Sequence, residues 1–135
     1  MASSYSTDLK LELMVTGENS NTWGDKTNNN LNLIQQAVAG YQSVALTSTT
    51  TTLAMTNATI SNARNMVLEL TGTLSANSTV NLPDGIEKFY VVKDSVTHGA
   101  YSLTFKTTSG SGAGDSAGVP SPCERVYRCR ALDAC

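Results

Sequence analysis

The sequence predicts a mainly β protein: an antiparallel sandwich or barrel-like domain with one N-terminal helix and a polar N-terminal arm. Three observations carry that prediction. Short apolar runs recur about every ten residues between turn signals from Val44 onward. Thr, Ser and Asn make up roughly a third of the chain, well above their usual share; Thr favours strands, and Ser and Asn favour turns. Helical periodicity is convincing in one stretch alone, about residues 25–39. Residues 1–8 form the arm, 9–108 the β domain with its helix, and 109–135 a linker and an atypical tail.

The arm is small and polar, and such a segment stays disordered unless a partner ties it down. It also lacks the basic and apolar parts of a signal peptide. Leu9, Leu11, Leu13 and Val15 then alternate with Lys10, Glu12 and Met14, the period of a half-buried strand with Glu12 facing solvent. Thr22 followed by Asp25 reads as a capping box that launches the helix, and Asp25 suits the positive end of its dipole. Leu31, Ile34, Ala37 or Val38, and Tyr41 recur at helical spacing as the face to be buried, and Gly40 is expected to end the helix in a left-handed conformation. Trp23, the only Trp, with Gly24 beside it, is expected to plug the corner between strand and helix, removing roughly 150–250 Å² from water. The alternative role for Trp23 is an exposed platform for stacking sugars.

The β part follows as Val44–Leu46, Leu53–Met55, Met66–Leu70, Val80–Leu82, Phe89–Val92 and Tyr101–Phe105. The Thr run 48–52 is expected to make a hairpin. Turn signals at Gly72, Asn77, Pro83-Asp84-Gly85 and His98-Gly99 separate the later strands. No fixed period indicates a solenoid or fibre shaft.

The residues Thr16-Gly17-Glu18-Asn19, Thr22-Trp23-Gly24, Thr27-Asn28, Asn30-Leu31, Ile34-Gln35-Gln36-Ala37 and Gly40-Tyr41 together resemble a Trp-Gly module of tailed-phage virion structural proteins, many from phages of marine bacteria. The resemblance continues through Ala63-Arg64-Asn65-Met66, Glu69-Leu70-Thr71-Gly72 and Phe89-Tyr90-Val91-Val92, covering roughly residues 5–112. It implies a particle component rather than an enzyme, with Thr22, Trp23, Gly24, Asp25, Leu31, Ile34, Val38 and Tyr41 in structural or assembly roles. A capsid decoration (cement) protein is the first expectation: a homotrimer bound to the major capsid protein or other virion proteins, assembled in the host cytoplasm. A tail-fibre or host-attachment module, docking to the tail or binding surface glycans, is the alternative. Residues 113–135 depart from the family pattern, as a reading-frame change near codons 112–115 would produce.

Composition narrows the remaining classes. A net charge of −2 and a pI near 5.2 give no electrostatic footprint for nucleic acid. No apolar run approaches the ~20 residues of a membrane span. Cys123, Cys129 and Cys135 match no zinc pattern and read as free thiols, so no metal or cofactor is expected. The single histidine, His98, reads as a solvent-exposed turn residue four positions after Asp94. Glu12, Glu18, Asp25, Glu69 and Glu87 could in principle supply a glycosidase pair, but Glu12 and Glu69 read as outward surface charges and Asp25 as a cap.

Overall fold

A computed structural model describes residues 3–110, together with the backbone of 113–115 and 123–129. Two short strands, β1 (Ser4–Tyr5) and β2 (Glu12–Leu13), pair antiparallel. Helix α1 (Trp23–Ala39) follows and runs into β3 (Tyr41–Ala45). The chain then makes β4 (Thr50–Thr52), a 3₁₀ turn at Asn62–Arg64, β5 (Val67–Thr73), β6 (Ser78–Leu82), β7 (Lys88–Thr97), β8 (Leu103–Thr107), β9 (Ala113–Asp115) and β10 (Cys123–Cys129).

The pairing overturns the expected antiparallel sandwich. β3, β5 and β7 pair in parallel in one sheet, and β4, β6 and β8 pair in parallel in a second. Successive strands therefore alternate between sheets. Three rungs result, β3–β4, β5–β6 and β7–β8. Tyr41 pairs with Val67, and Val67 with Val91, so the rungs repeat at roughly 25 residues, within the range of solenoids. Antiparallel β10 and β9 close the last rung in the two sheets. The result is a mixed α/β molecule: one helix, two parallel three-strand sheets and a small hairpin. A repeat exists where none was expected, because the rungs share geometry and burial rather than a motif.

The turns explain the difference. Asp84 and Gly85 do form a turn, with Gly85 at φ +75°, and Gly99 turns at φ +62°. Each sends the chain into the opposite sheet instead of back beside the strand it left. The Thr run is likewise no hairpin: it holds β4, while Leu53–Met55 lies outside the strands.

Alternation inside each strand supplies the core. Lys88, Tyr90, Val92, Asp94 and Val96 of β7 point inward, as do Leu68 and Leu70 of β5, and Ser78, Val80 and Leu82 of β6. Their apolar members join Val44, Leu46, Leu53, Ala63, Leu74, Leu103 and Phe105 in one cluster shared by both sheets. Register stacks Val44, Leu70 and Asp94 in one row and Val80 on Phe105 in another. Tyr90 meets Phe105 edge to face at 6.3 Å, an arrangement that the aromatic quadrupoles favour.

Arg64 joins the N-terminal segment and helix to this body. It is fully buried. Its Nε donates to Leu9 O (3.0 Å), Nη2 to Thr56 O (2.7 Å), and Nη1 to Thr59 O, Gln36 Oε1 (3.4 Å) and Ser61 Oγ (3.5 Å). Burial pulls its pKa down from the usual value. The arm, too, is tied to its own chain: Ser3 Oγ donates to Glu18 (3.0 Å) and the Glu87 amide to Asp8 Oδ1 (2.9 Å). In the tail, β10 lies along seven residues of β7, Lys88 to Asp94. The cysteine side chains and residues 116–122 and 130–135 lie outside the described residues.

Gly40 ends the helix, although not in the expected left-handed conformation: its φ is −72° and ψ 143°. Space is the reason for glycine. A Cβ there would collide with the Gln36 carbonyl oxygen and Asn65 Oδ1. The Gly40→Ala variant should therefore lose about 1–3 kcal/mol of stability in denaturant unfolding; an unchanged midpoint would remove the steric account.

Candidate interaction surface

Helix α1 begins without the expected capping box. Thr22 occupies the N-cap position, but its hydroxyl donates to Asn19 O (3.3 Å) and caps no helical amide. The entry is shaped by Asn19 and Asn21, both at positive φ, a region Asn tolerates better than most residues. The Asn19 carbonyl accepts from the amides of Thr22 and Trp23 (both 2.9 Å). Asp25 lies exposed in the first turn, where its charge suits the dipole, and a Cβ on Gly24 would meet open space.

The helix underside is mostly polar. Glu12 is buried beneath it, contrary to the outward placement expected, and its carboxylate pairs with Lys26 Nζ at 3.0 Å. That hydrogen bond from Lys26 holds the Glu12 carboxyl below its ordinary pKa. Asn30 clamps the Glu12 backbone at both ends, accepting from its amide (3.0 Å) and donating to its carbonyl (2.8 Å). Asn29 donates to Ala58 O (2.9 Å), and Leu33 and Ala37 supply the buried apolar contact.

The face that sequence periodicity assigned to the core points to solvent instead. Trp23 is 64% exposed, Leu31 58%, Ile34 38% and Val38 68%, and Tyr41 beyond the helix is 56% exposed. At about 100° per residue the four helical side chains lie within an arc of about 80°, directly beside the buried arc of Leu33 and Ala37. The apolar stripe is thus about twice as wide as the surface that covers it. Trp23 is no plug. Amides bonding to Glu12 and Ala58, rather than an indole, fix the helix, and Lys26 finds its partner fourteen positions back in the chain.

Tyr41 opens a second feature. Its hydroxyl donates to Glu69, which also accepts from Ser95 Oγ (2.7 Å) and pairs with Lys93 Nζ (2.9 Å) across the outer face of three neighbouring strands. The Ser95 hydroxyl, and then the Lys93 ammonium, hold the Glu69 carboxyl below its usual range. Beside Tyr41 runs a groove of about 290 Å³ lined by Asn32, Gln35, Gln36, Ala39, Gly40 and Asn65.

The candidate catalytic groups are placed elsewhere. His98 is buried where exposure was expected, with Nε2 2.6 Å from Asp94 Oδ2, while Asp94 Oδ1 accepts from the Val96 amide (2.9 Å). The pair ties the end of β7 to the turn after it. Lys88, over the Tyr90 ring at 4.3 Å and donating to Asn65 O (3.0 Å), is held down to about 8 by burial. Burial pushes the Tyr90 phenol up, and its hydroxyl donates to Ala63 O (2.7 Å). Among the described residues, no group of three His, Cys, Asp or Glu side chains could hold a metal ion, and no helix is long and apolar enough to cross a membrane.

Comparisons with protein-family models, curated proteins and solved structures find no match.

Because Trp23 is mostly in water, Trp23→Ala should shift stability by no more than about 0.5 kcal/mol. Its fluorescence should be red-shifted and readily quenched by iodide. A loss of several kcal/mol, or a blue-shifted and protected emission, would return Trp23 to the core.

Proposed function

We propose that this chain is a non-enzymatic structural component of a tailed-phage virion, with capsid decoration as its first assignment. The observation that carries the proposal is the uncovered half of the helix stripe, Trp23, Leu31, Ile34 and Val38. An exposed apolar helix face of this kind is the usual form of a docking surface. The major capsid protein is the partner assigned to it. Repetition over a lattice multiplies the avidity of each modest contact.

A cement protein can also bridge neighbouring capsomers with its N-terminal arm, but here Ser3, Ser4, Tyr5 and Asp8 are engaged with the chain's own residues. The role passes to α1. Two observations favour the second reading, a tail-fibre or attachment module. The body is a stack of rungs, and the Tyr41 groove offers an aromatic ring with four side-chain amides, chemistry suited to a neutral glycan.

Copy number separates the two placements. Quantitative mass spectrometry of purified virions should find the chain at a level comparable to the major capsid protein. The Ile34→Lys/Val38→Lys double variant should keep its fold and bind chain-free particles at least about tenfold more weakly. A few copies per particle would move the protein to the tail, and absence from the particle would end the virion reading.

A further inference from the structure

We infer that the open edge of the first rung pairs with the same edge of a second copy of this chain. The two ends of the stack differ. At the last rung, antiparallel β10 and β9 border β7 and β8. At the first rung, β3 and β4 each end their sheet with no neighbour among the described residues.

The backbone shows which groups the edge presents. Toward β5, β3 uses the Gly40 carbonyl, which accepts from the Val67 amide (2.9 Å), and the Leu46 amide, which donates to Thr71 O (2.8 Å). Backbone groups alternate sides along a strand, so the amides and carbonyls of Tyr41, Ser43 and Ala45 point off the edge. On β4 the Thr49 carbonyl and Leu53 amide face β6 (both 2.8 Å), leaving those of Thr50 and Thr52 outward. Among the described residues, exchangeable side-chain contacts meet these groups: Gln42 Nε2 donates to Ser43 O (2.8 Å) and Ser48 Oγ to Thr50 O (2.7 Å).

An exposed edge is a template for another strand, and soluble proteins blunt such edges with charge, proline or a bulge. Residues 41–52 contain no Asp, Glu, Lys, Arg or Pro. Every odd-numbered residue of β3 is exposed. The edge is therefore left able to pair.

Self-complementarity selects the occupant. Set antiparallel to its own copy about Ser43, β3 places Ser43 opposite the partner's Ser43, and Tyr41 opposite the partner's Ala45. All three off-edge residues then meet off-edge residues with no slip in register. A two-fold axis perpendicular to the sheets reverses β3 and β4 alike, so β4 can meet its counterpart in the same act. In such an isologous contact each residue faces its own kind or a near neighbour, and an uncharged edge brings no like charges together.

Sedimentation velocity on the full chain at micromolar concentration tests this pairing. The wild type should run as a dimer. Ser43→Lys, and Ser43→Pro, whose missing amide is not one that bonds β5, should run as monomers with unchanged circular dichroism and melting temperature. Association should be weakened at least about tenfold. As a check independent of any variant, the amides of Tyr41, Ser43 and Ala45 should exchange more slowly as wild-type concentration rises. A monomeric wild type, a dimer that survives both substitutions, or concentration-independent exchange at those amides would overturn the inference. A homotrimer, or an edge that takes up only a strand of another protein, would do so too. The trimer would leave the virion reading intact, so the two proposals fail separately.

Discussion

One buried cation constrains the arrangement of everything outside the strands. A guanidinium removed from water costs several kcal/mol unless its donors are met. The described residues offer Arg64 no carboxylate; its acceptors are carbonyls of Leu9, Thr56 and Thr59, the Gln36 amide and the Ser61 hydroxyl. These come from the N-terminal segment, the helix and the loop between β4 and β5. None of them can leave without stranding charge. Because Arg64 lies just before β5, and the neighbouring Ala63 carbonyl accepts from Tyr90, the same knot is tied to the middle and last rungs.

The body and the helix then divide the work. The rungs bury aliphatic rows between two sheets, and each rung contacts mainly its neighbours, which gives a stiff unit with two unlike ends. The helix contributes little to that core: its buried Leu33 and Ala37 lie outside the shared cluster, and polar clamps to Glu12 and Ala58 hold it in place. A helix held by hydrogen bonds can leave half its apolar stripe uncovered. The surfaces available for assembly, the outer face of α1 and the edge of the first rung, follow from this division.

Much of the local structure was legible in the chain. Five of the strand-like runs lie in or overlap β3, β5, β6, β7 and β8, and Pro83-Asp84-Gly85 marks a turn because proline and glycine constrain dihedrals wherever they stand. Pairing direction was not legible, since an alternating strand shows which side is buried but not which way its neighbour runs. A strand every ten residues or so suits a meander and a two-sheet solenoid equally. The helix was found, but its phase was misread: Leu31, Ile34 and Val38 form a better stripe than Leu33 and Ala37, and only the position of the body decides which is covered. Buried Glu12, Arg64 and His98 escaped notice for a related reason. Glu12 is held by Lys26 and Asn30, and Arg64 in part by Leu9 and Gln36, all far away in sequence, and a polar residue carries no local mark of such a partner. For His98 the partner, Asp94, stood four residues away; what could not be seen was that both would face inward.

The central claim, that Arg64 binds helix and N-terminal segment to an independently cohesive stack of rungs, is tested most directly by residue-resolved hydrogen exchange on Arg64→Ala. The account predicts that amides of α1 and residues 9–12 lose most of their protection while β5 and β7 keep theirs. Unchanged protection in α1, or equal loss throughout the sheets, would contradict it.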